Sequence, residues 1–267
     1  MPDHDADLQS AGPFIVVAIN NTNTSIGLAD GLSVTRVTTV PSSEPESIGN
    51  VAASMLDTDP AIVLLASVNA AATEPAVRSI RAATGLDVRR FGPDMPVPIA
   101  HTIPEPVTTG LDRFLVALGA FETIHQACIV VDAGTALTCD FVDGQGVFHG
   151  GAIIPGGQMM LDALPAKAPA LPRLNLADMP SPLEPFGKST EHAMLLGVQA
   201  AARGAVRYLA ERYAEFYEAY PQIIATGGSA ELLFEGDELI ENVVPHLQLV
   251  GIAAARKRLI EADDGQS

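Results

Sequence analysis

Two short apolar runs, Phe14–Ile19 and Cys128–Val131, each break off at a cluster of small or polar residues, and each is followed by two more strand-like segments. A continuous apolar run of this length, bounded by turn residues, suits a buried strand. In the first instance the chain crosses Asn20-Asn21-Thr22-Asn23-Thr24, resumes as Ser25–Ala29, and turns at Asp30-Gly31 into the β-branched stretch Leu32–Val40. In the second, Cys128–Asp132 leads to Leu137–Val142 and Val147–Ile153, joined through Asp143-Gly144-Gln145-Gly146. Both read as three-strand meanders, because Asp-Gly pairs favour tight hairpin loops. The echo lies in the pattern rather than in the residues. It predicts an α/β chain with duplicated halves, which build a cleft between two lobes. Residues 14–108 are expected to form the N-terminal lobe and 109–267 the C-terminal lobe, after a disordered segment at 1–13.

Helical patterns fill the spaces between. Glu44–Leu56 and Glu74–Ala83 have helical character and alternate with strands at Ile62–Val68 and Asp87–Phe91. Gly92–Pro106 holds five prolines and is expected to be irregular. Phe114, Ala117, Leu118 and Phe121 fall at i, i+3, i+4 and i+7, one face of a helix. Leu164–Pro185 is proline-rich and poorly periodic, which suits a long loop. Met194, Val198, Ala201, Ala205 and Leu209 mark the stripe of a long helix. Strand Gln222–Ala225 ends in Thr226-Gly227-Gly228, and Gln248–Ile260 is expected as a further helix.

Charge narrows the partners. The chain carries 32 acidic and 15 basic residues, a net charge of −17, with no basic run. Such a surface repels nucleic acid and anionic membranes, so neither is expected as a partner. No apolar run approaches the roughly 20 residues of a membrane span. Cys128 and Cys139 sit in apolar stretches and read as core thiols of a reducing compartment. The first dozen residues are polar and acidic, unlike a signal peptide. A cytoplasmic protein is expected. An anionic substrate must then be met by local cationic groups, backbone N–H donors or a metal ion.

Four sets of residues carry possible chemistry. The turn Asn20–Thr24 can present N–H groups and hydroxyls to phosphate oxygens, or be an ordinary hairpin turn rich in Asn and Thr. In Asp132-Ala133-Gly134-Thr135-Ala136-Leu137-Thr138 a carboxylate ends an otherwise apolar strand, where it faces a ligand or bears an uncompensated burial cost. Such a carboxylate suits Mg²⁺, which takes one or two protein oxygens beside waters and phosphates; the alternative is an Asp capping its own turn. Gly110-Leu111-Asp112-Arg113 opens a helix. Asp112 there is explained most simply as a cap, and alternatively as a general base. Finally Gly150–Gly156, Gly187-Lys188-Ser189-Thr190 and Ala225-Thr226-Gly227-Gly228 place glycine at element edges, where backbone turns tightly or approaches a ligand. No segment completes a P-loop.

Taken in order, these segments resemble the type III pantothenate kinases, members of the actin-like superfamily of sugar kinases and ATPases. The resemblance runs from about Ile15 to Leu259. It rests on Asn-Thr-Asn-Thr at 21–24, Gly-Leu-Asp-Arg at 110–113, Asp-Ala-Gly-Thr-Ala-Leu-Thr at 132–138, Gly-Gly-Ala-Ile-Ile-Pro-Gly at 150–156, Gly-Lys-Ser-Thr at 187–190 and Thr-Gly-Gly at 226–228. It implies two ribonuclease-H-like halves and ATP-dependent phosphorylation of pantothenate, the first step of coenzyme A synthesis. It also implies Mg²⁺, a monovalent cation (K⁺ or NH4⁺), and a homodimer with the acceptor site near the subunit interface. By position, Asp112 would be the general base and Asp132 the metal-side carboxylate. Asn20, Asn21, Thr22, Asn23 and Thr24 would line one phosphate loop, Gly134 and Thr135 the other. Gly110, Arg113 and Thr190 would border pantothenate, and Thr226, Gly227 and Gly228 would lie on the adenosine side.

One departure stands out. The family's opening pattern resembles Asp-Val-Gly-Asn-Thr, whereas this chain reads Ala18-Ile19-Asn20-Asn21-Thr22. Ala18 replaces a carboxylate that helps hold the metal, and Asn20 replaces the turn glycine while offering a neutral oxygen. Loss of an outer-shell partner of a metal typically costs about 10–100-fold in affinity or activity. Two alternatives to a pantothenate kinase follow: a nucleotide-binding regulatory homologue without turnover, and a kinase for another small hydroxylated acceptor on the same fold.

Overall fold

A computed structural model of the chain describes residues 12–178 and 184–264. The expected disordered segment at 1–13 lies outside these residues, apart from Gly12 and Pro13, which lead into the first strand.

Among the described residues, two five-stranded sheets share one plan. The first contains β1 (Phe14–Ile19), β2 (Asn23–Asp30), β3 (Ser33–Pro41), β4 (Val63–Ser67) and β5 (Val88–Arg90), in the order β3-β2-β1-β4-β5. The second contains β6 (Cys128–Ala133), β7 (Ala136–Val142), β8 (Phe148–Pro155), β9 (Gln222–Thr226) and β10 (Asn242–Val243), in the order β8-β7-β6-β9-β10. In each, three strands form an antiparallel meander and two more join parallel to the first. Parallel neighbours need crossovers, usually helical. These are α1 (Pro45–Ala53) and α2 (Ala70–Thr84) in the first half. Then α3 (Leu111–Ile124) leads to the second half, whose crossovers are α4 (Gly157–Lys167), α5 (Thr190–Tyr217) and α6 (Ala230–Phe234). A last helix, α7, spans Leu247–Asp264. The expected duplicated, ribonuclease-H-like halves are present.

Contacts divide the chain into two units: residues up to Ile124 together with those from His246, and His125–Pro245. Both α3 and α7, counted with residues 109–267 in the sequence, therefore belong with the first sheet. In that unit the period-2 alternation of β1 sends Ile15, Val17 and Ile19 into a core with Ile48 and Ala52 of α1 and Ala76, Val77 and Ile80 of α2. The opposite face carries Phe14, Val16 and Ala18, also buried, and is covered by α3 and α7. Arg256 of α7 lies over the Phe14 ring at 4.3 Å. Full burial of each of these aliphatic side chains contributes about 1.5–3 kcal/mol.

The two covering helices meet backbone to backbone. A side chain on Gly119 would strike the Leu247 carbonyl oxygen and the Gly251 backbone, and one on Gly251 would strike the Leu115 carbonyl oxygen. Only glycine permits that approach. Phe114 to Ala120 of α3 are all buried, beyond the single stripe expected from the sequence, because the helix is packed on the sheet and on α7 together.

In the second unit, Ile129, Val131, Ala133, Cys139, Phe141 and Ala225 build one face of the sheet against α4, α5 and α6. Helix α5 buries Met194, Val198, Ala202, Val206, Ala210 and Ala214, an i+4 series, with Leu195 beside it. The expected stripe drifts from it at Ala201, which is exposed. The proline-rich stretch from Leu164 is a loop only in part. Helix α4 runs to Lys167 with Pro165 inside it, and the glycines at its start concealed it. Both thiols are free and buried, and burial pushes each up to about 12. No described helix is long and apolar enough to cross a membrane.

Candidate active site

The first polar turn is tighter than the sequence suggests. Ile19 pairs with Thr24, and Asn20 N donates to Asn23 O at 3.0 Å, leaving Asn20–Thr22 between the two strands. Asn21, Thr22 and Asn23 are exposed at its tip. Thr24 is not. It is fully buried, with Oγ1 2.9 Å from Ser42 Oγ, so its hydroxyl holds the turn. Ser42 Oγ also donates to Asn20 O at 2.8 Å. Asn69, which caps α2 by accepting from Ala72 N, reaches Asn21 O through Nδ2 at 3.3 Å. Ser42 and Asn69 were missed in the sequence. The N-cap signal of Asn69 before an alanine-rich helix was legible, but its second bond was not.

Asn20 differs from its neighbours. Its Nδ2 donates to Gln248 Oε1 on the first turn of α7 at 2.9 Å, while Asn20 Oδ1 and Gln248 Nε2 are buried without hydrogen-bond partners. A buried unpaired polar group costs about 1–3 kcal/mol.

Asp112 is the second residue of α3, and Gly110 immediately precedes the helix. The carboxylate is not an N-cap; it folds over Gly110, and Oδ1 accepts from Arg113 N at 2.9 Å. A Cβ at position 110 would collide with Asp112 Oδ1, which explains the glycine. Burial raises the affinity of Asp112 for a proton, offset in part by the Arg113 amide and guanidinium. A carboxylate set this way is more basic than an ordinary one.

In the second unit, cross-strand register places Asp132 of β6 opposite Thr138 of β7 and Thr226 of β9. Residues directly opposite share a face, so Asp132, Thr138 and Thr226 form one polar row on the side away from Val131 and Ala133. Asp140, paired with Val130, continues this face and is buried. The sequence carried its signal as a period-2 polar alternation, Thr138 and Asp140, within β7.

The glycines around this row are of two kinds. Gly227 has φ of +94°, and a side chain there would meet Asp132 Oδ1 and the Ala133 carbonyl oxygen. Gly156 lies against the carbonyl oxygens of Gly134 and Thr135 and donates its N–H to Thr135 O at 3.1 Å. The fold demands both. Gly134 and Gly228 are exposed, have no left-handed backbone and meet nothing that forbids a Cβ. Thr135 is exposed beside Gly134.

Thr190 is the first residue of α5, after Ser189, whose Oγ accepts from His192 N at 3.2 Å. It is the one polar residue lining an apolar cavity of about 520 Å³ formed with Met160, Leu164, Leu171, Met194 and Val198. The structure thus gathers Asn20–Asn23 with Gln248 in the first unit, which also carries Gly110, Asp112 and Arg113. It gathers Asp132, Gly134, Thr135, Thr226 and Gly227 in the second. Among the described residues no group of three or more His, Cys, Asp or Glu is arranged to hold a metal ion. A lone carboxylate such as Asp132 nonetheless fits Mg²⁺, whose remaining positions are filled by water and phosphate.

Comparison with known proteins agrees with this arrangement. A family model described as type III pantothenate kinase matches residues 14–212. A type III pantothenate kinase of Rhodopirellula baltica is 42% identical over 181 residues, covering 65% of this chain and 63% of that protein. One of Parafrankia is 32% identical over 252 residues, covering 90% of this chain and 95% of that one. The match therefore spans less than two thirds of the first relative and nearly all of the second. In structure the chain is similar to a ROK family glucokinase from Streptomyces griseus solved with glucose and AMPPNP, with a TM-score of 0.53, 16% identity, and coverage of 92% and 100%. The fold is that of the actin-like ATPases and sugar kinases. With its sheets, its motif residues and these relatives in agreement, the chain belongs to the type III pantothenate kinase family.

Proposed function

We propose that this protein transfers the γ-phosphoryl group of ATP to the hydroxyl of pantothenate, giving 4'-phosphopantothenate and ADP, the first step of coenzyme A synthesis. The observation that carries the reading is the Asp112 carboxylate, folded over Gly110 and made more basic by burial, in a chain of this family. Phosphoryl transfer asks of a protein mainly positioning and electrostatic stabilisation. Asp112 accepts the proton of the pantothenate hydroxyl as its oxygen bonds to the γ-phosphorus and the bond to the ADP oxygen breaks. Arg113, Gly110 and Thr190 border the acceptor. Asn21, Thr22 and Asn23 meet phosphate oxygens, and so do Gly134 and Thr135. The freedom of Gly134 and Gly228 from any demand of the fold supports close approach of a ligand to their backbone, phosphate at the first and adenosine at the second. Thr226 and Gly227 stand beside Gly228. Asp132 would hold Mg²⁺, which when bound neutralises charge on the phosphates.

The finer reading includes K⁺ or NH4⁺ as a second cation, a cytoplasmic site of action and a homodimer. Sedimentation as a monomer at working concentration would count against the dimer.

The test is ATP consumption with Mg²⁺ and K⁺, with and without pantothenate, across pH. Turnover should require pantothenate. Because burial raises the Asp112 carboxyl and the base must be ionised, activity falls as pH drops through that raised value. The acidic limb of kcat/KM should lie above the ordinary Asp value of about 3.9. A limb at or below it would remove Asp112 as base. A second reading, a nucleotide-binding homologue without turnover, is favoured by Ala18 alone. Binding of ATP with no pantothenate-dependent consumption would establish it.

A further inference from the structure

The duplication sets the two polar turns side by side for comparison. Ala18 is the fifth residue of β1 and Asp132 the fifth of β6; both strands hold the centre of their sheets, with the same neighbours in the same directions. Ala18 pairs with Ser25 and Ala66 as Asp132 pairs with Thr138 and Thr226. Two residues on, Asn20 answers to Gly134. The second unit thus has a carboxylate and then a glycine, where the first has alanine and then asparagine. Across these paired positions each unit has one oxygen-bearing side chain, Asn20 in the first and Asp132 in the second, displaced by two residues and so, at period 2, on the same face of the strand.

The asparagine is held in a definite way. Its N–H donates to Asn23 O, its carbonyl accepts from Ser42 Oγ, and its Nδ2 donates to Gln248 Oε1. Of its polar atoms only Oδ1 is left, buried and without a partner. In this arrangement the bond to Gln248 commits Nδ2 and leaves Oδ1 spare. Ala18 beside it is buried and offers no oxygen.

We infer that Asn20 Oδ1 is the first unit's oxygen contact for the magnesium–nucleotide complex, a neutral amide near the position where the second unit's strand carries the Asp132 carboxylate. Gln248 is then a positioning residue that aims it. The inference rests on the kinase reading above. Its consequence is a weaker demand for charge at this turn, met by geometry in place of a second carboxylate.

The test titrates Mn²⁺ into the protein with a non-hydrolysable ATP analogue and no pantothenate, counting free Mn²⁺ by its paramagnetic resonance signal. Asn20→Ala should weaken Mn²⁺ uptake about 10–100-fold, the usual effect of removing a metal's outer partner, with metal-free analogue binding unchanged. Asn20→Asp, nearly the same shape, should tighten Mn²⁺ uptake instead, and serves if Asn20→Ala does not fold. Gln248→Leu should fall between wild type and Asn20→Ala. Mn²⁺ uptake unchanged in both Asn20 variants, or lowered melting temperatures alone, would overturn the inference and leave the kinase reading standing. A wild-type protein that takes up no Mn²⁺ with the analogue would overturn both.

Discussion

Asp112→Asn should lower kcat by about 10²–10⁴-fold, the span that general-base catalysis contributes, while ATP affinity and melting temperature stay close to wild type. An amide at this position keeps the shape and can still accept from Arg113 N, so the first turn of α3 is preserved. What it loses is the proton acceptor. Gly110→Ala should produce a loss of the same kind by another route. The new methyl group occupies the space of Asp112 Oδ1 and swings the carboxylate aside without deleting it. The two variants differ in one readout. Gly110→Ala keeps an ionising acidic limb in its pH profile, whereas Asp112→Asn loses it. Wild-type turnover in Asp112→Asn would take this residue out of the mechanism.

Gly251→Ala should be the most damaging single methyl group in the first unit. The atoms in its way are backbone atoms of Leu115, which no rotamer change can move, so α3 and α7 must part along their crossing. Overpacking of this sort costs about 1–3 kcal/mol and sometimes more, against a total stability of about 5–15 kcal/mol for a folded domain. Because the first turn of α3 carries Asp112 and the first turn of α7 carries Gln248, the same change should also disturb the site. Gly204→Ala in α5 is the control. Nothing within 4 Å opposes its Cβ, and Ala in a helix is favoured over Gly by about 0.8–1 kcal/mol. Calorimetry of both variants should show opposite shifts in melting temperature; a Gly251→Ala melt no lower than wild type would mean that the crossing yields freely.

How much of this could be read from the residues depended on whether the cause was local. β1 and β6 were legible because a short apolar run bounded by turn residues has few other uses, and Asp30-Gly31 announced its hairpin, with Gly31 at φ +57°. Asp112, Asp132 and the glycines were legible as an ordered set. Helix α4 was hidden by its own glycines and proline, whose local preference is overridden by burial of Leu161. The true stripe of α5 was blurred because alanines occur on several faces, so only packing tells Ala202 from Ala201. The Thr24 hydroxyl is engaged by Ser42, 18 residues away, which its own turn does not announce. The Asn20–Gln248 bond spans 228 residues, and no window of sequence contains it.

The glycine-bearing contact of α3 with α7 also has a bearing on how the chain is made. The unit that holds β1 is completed by residues from His246 onward, and His125–Pro245 is threaded between its two parts. A nascent chain therefore holds the whole second unit before it has α7, which shares with α3 the covering of Phe14, Val16 and Ala18. Until then that apolar face of the first sheet lacks one of its two covering helices, at a synthesis rate of about 5–20 residues per second. The unit begun first is finished last. During that interval a chaperone, or a neighbouring nascent chain, would find its widest opening on this protein at the first sheet.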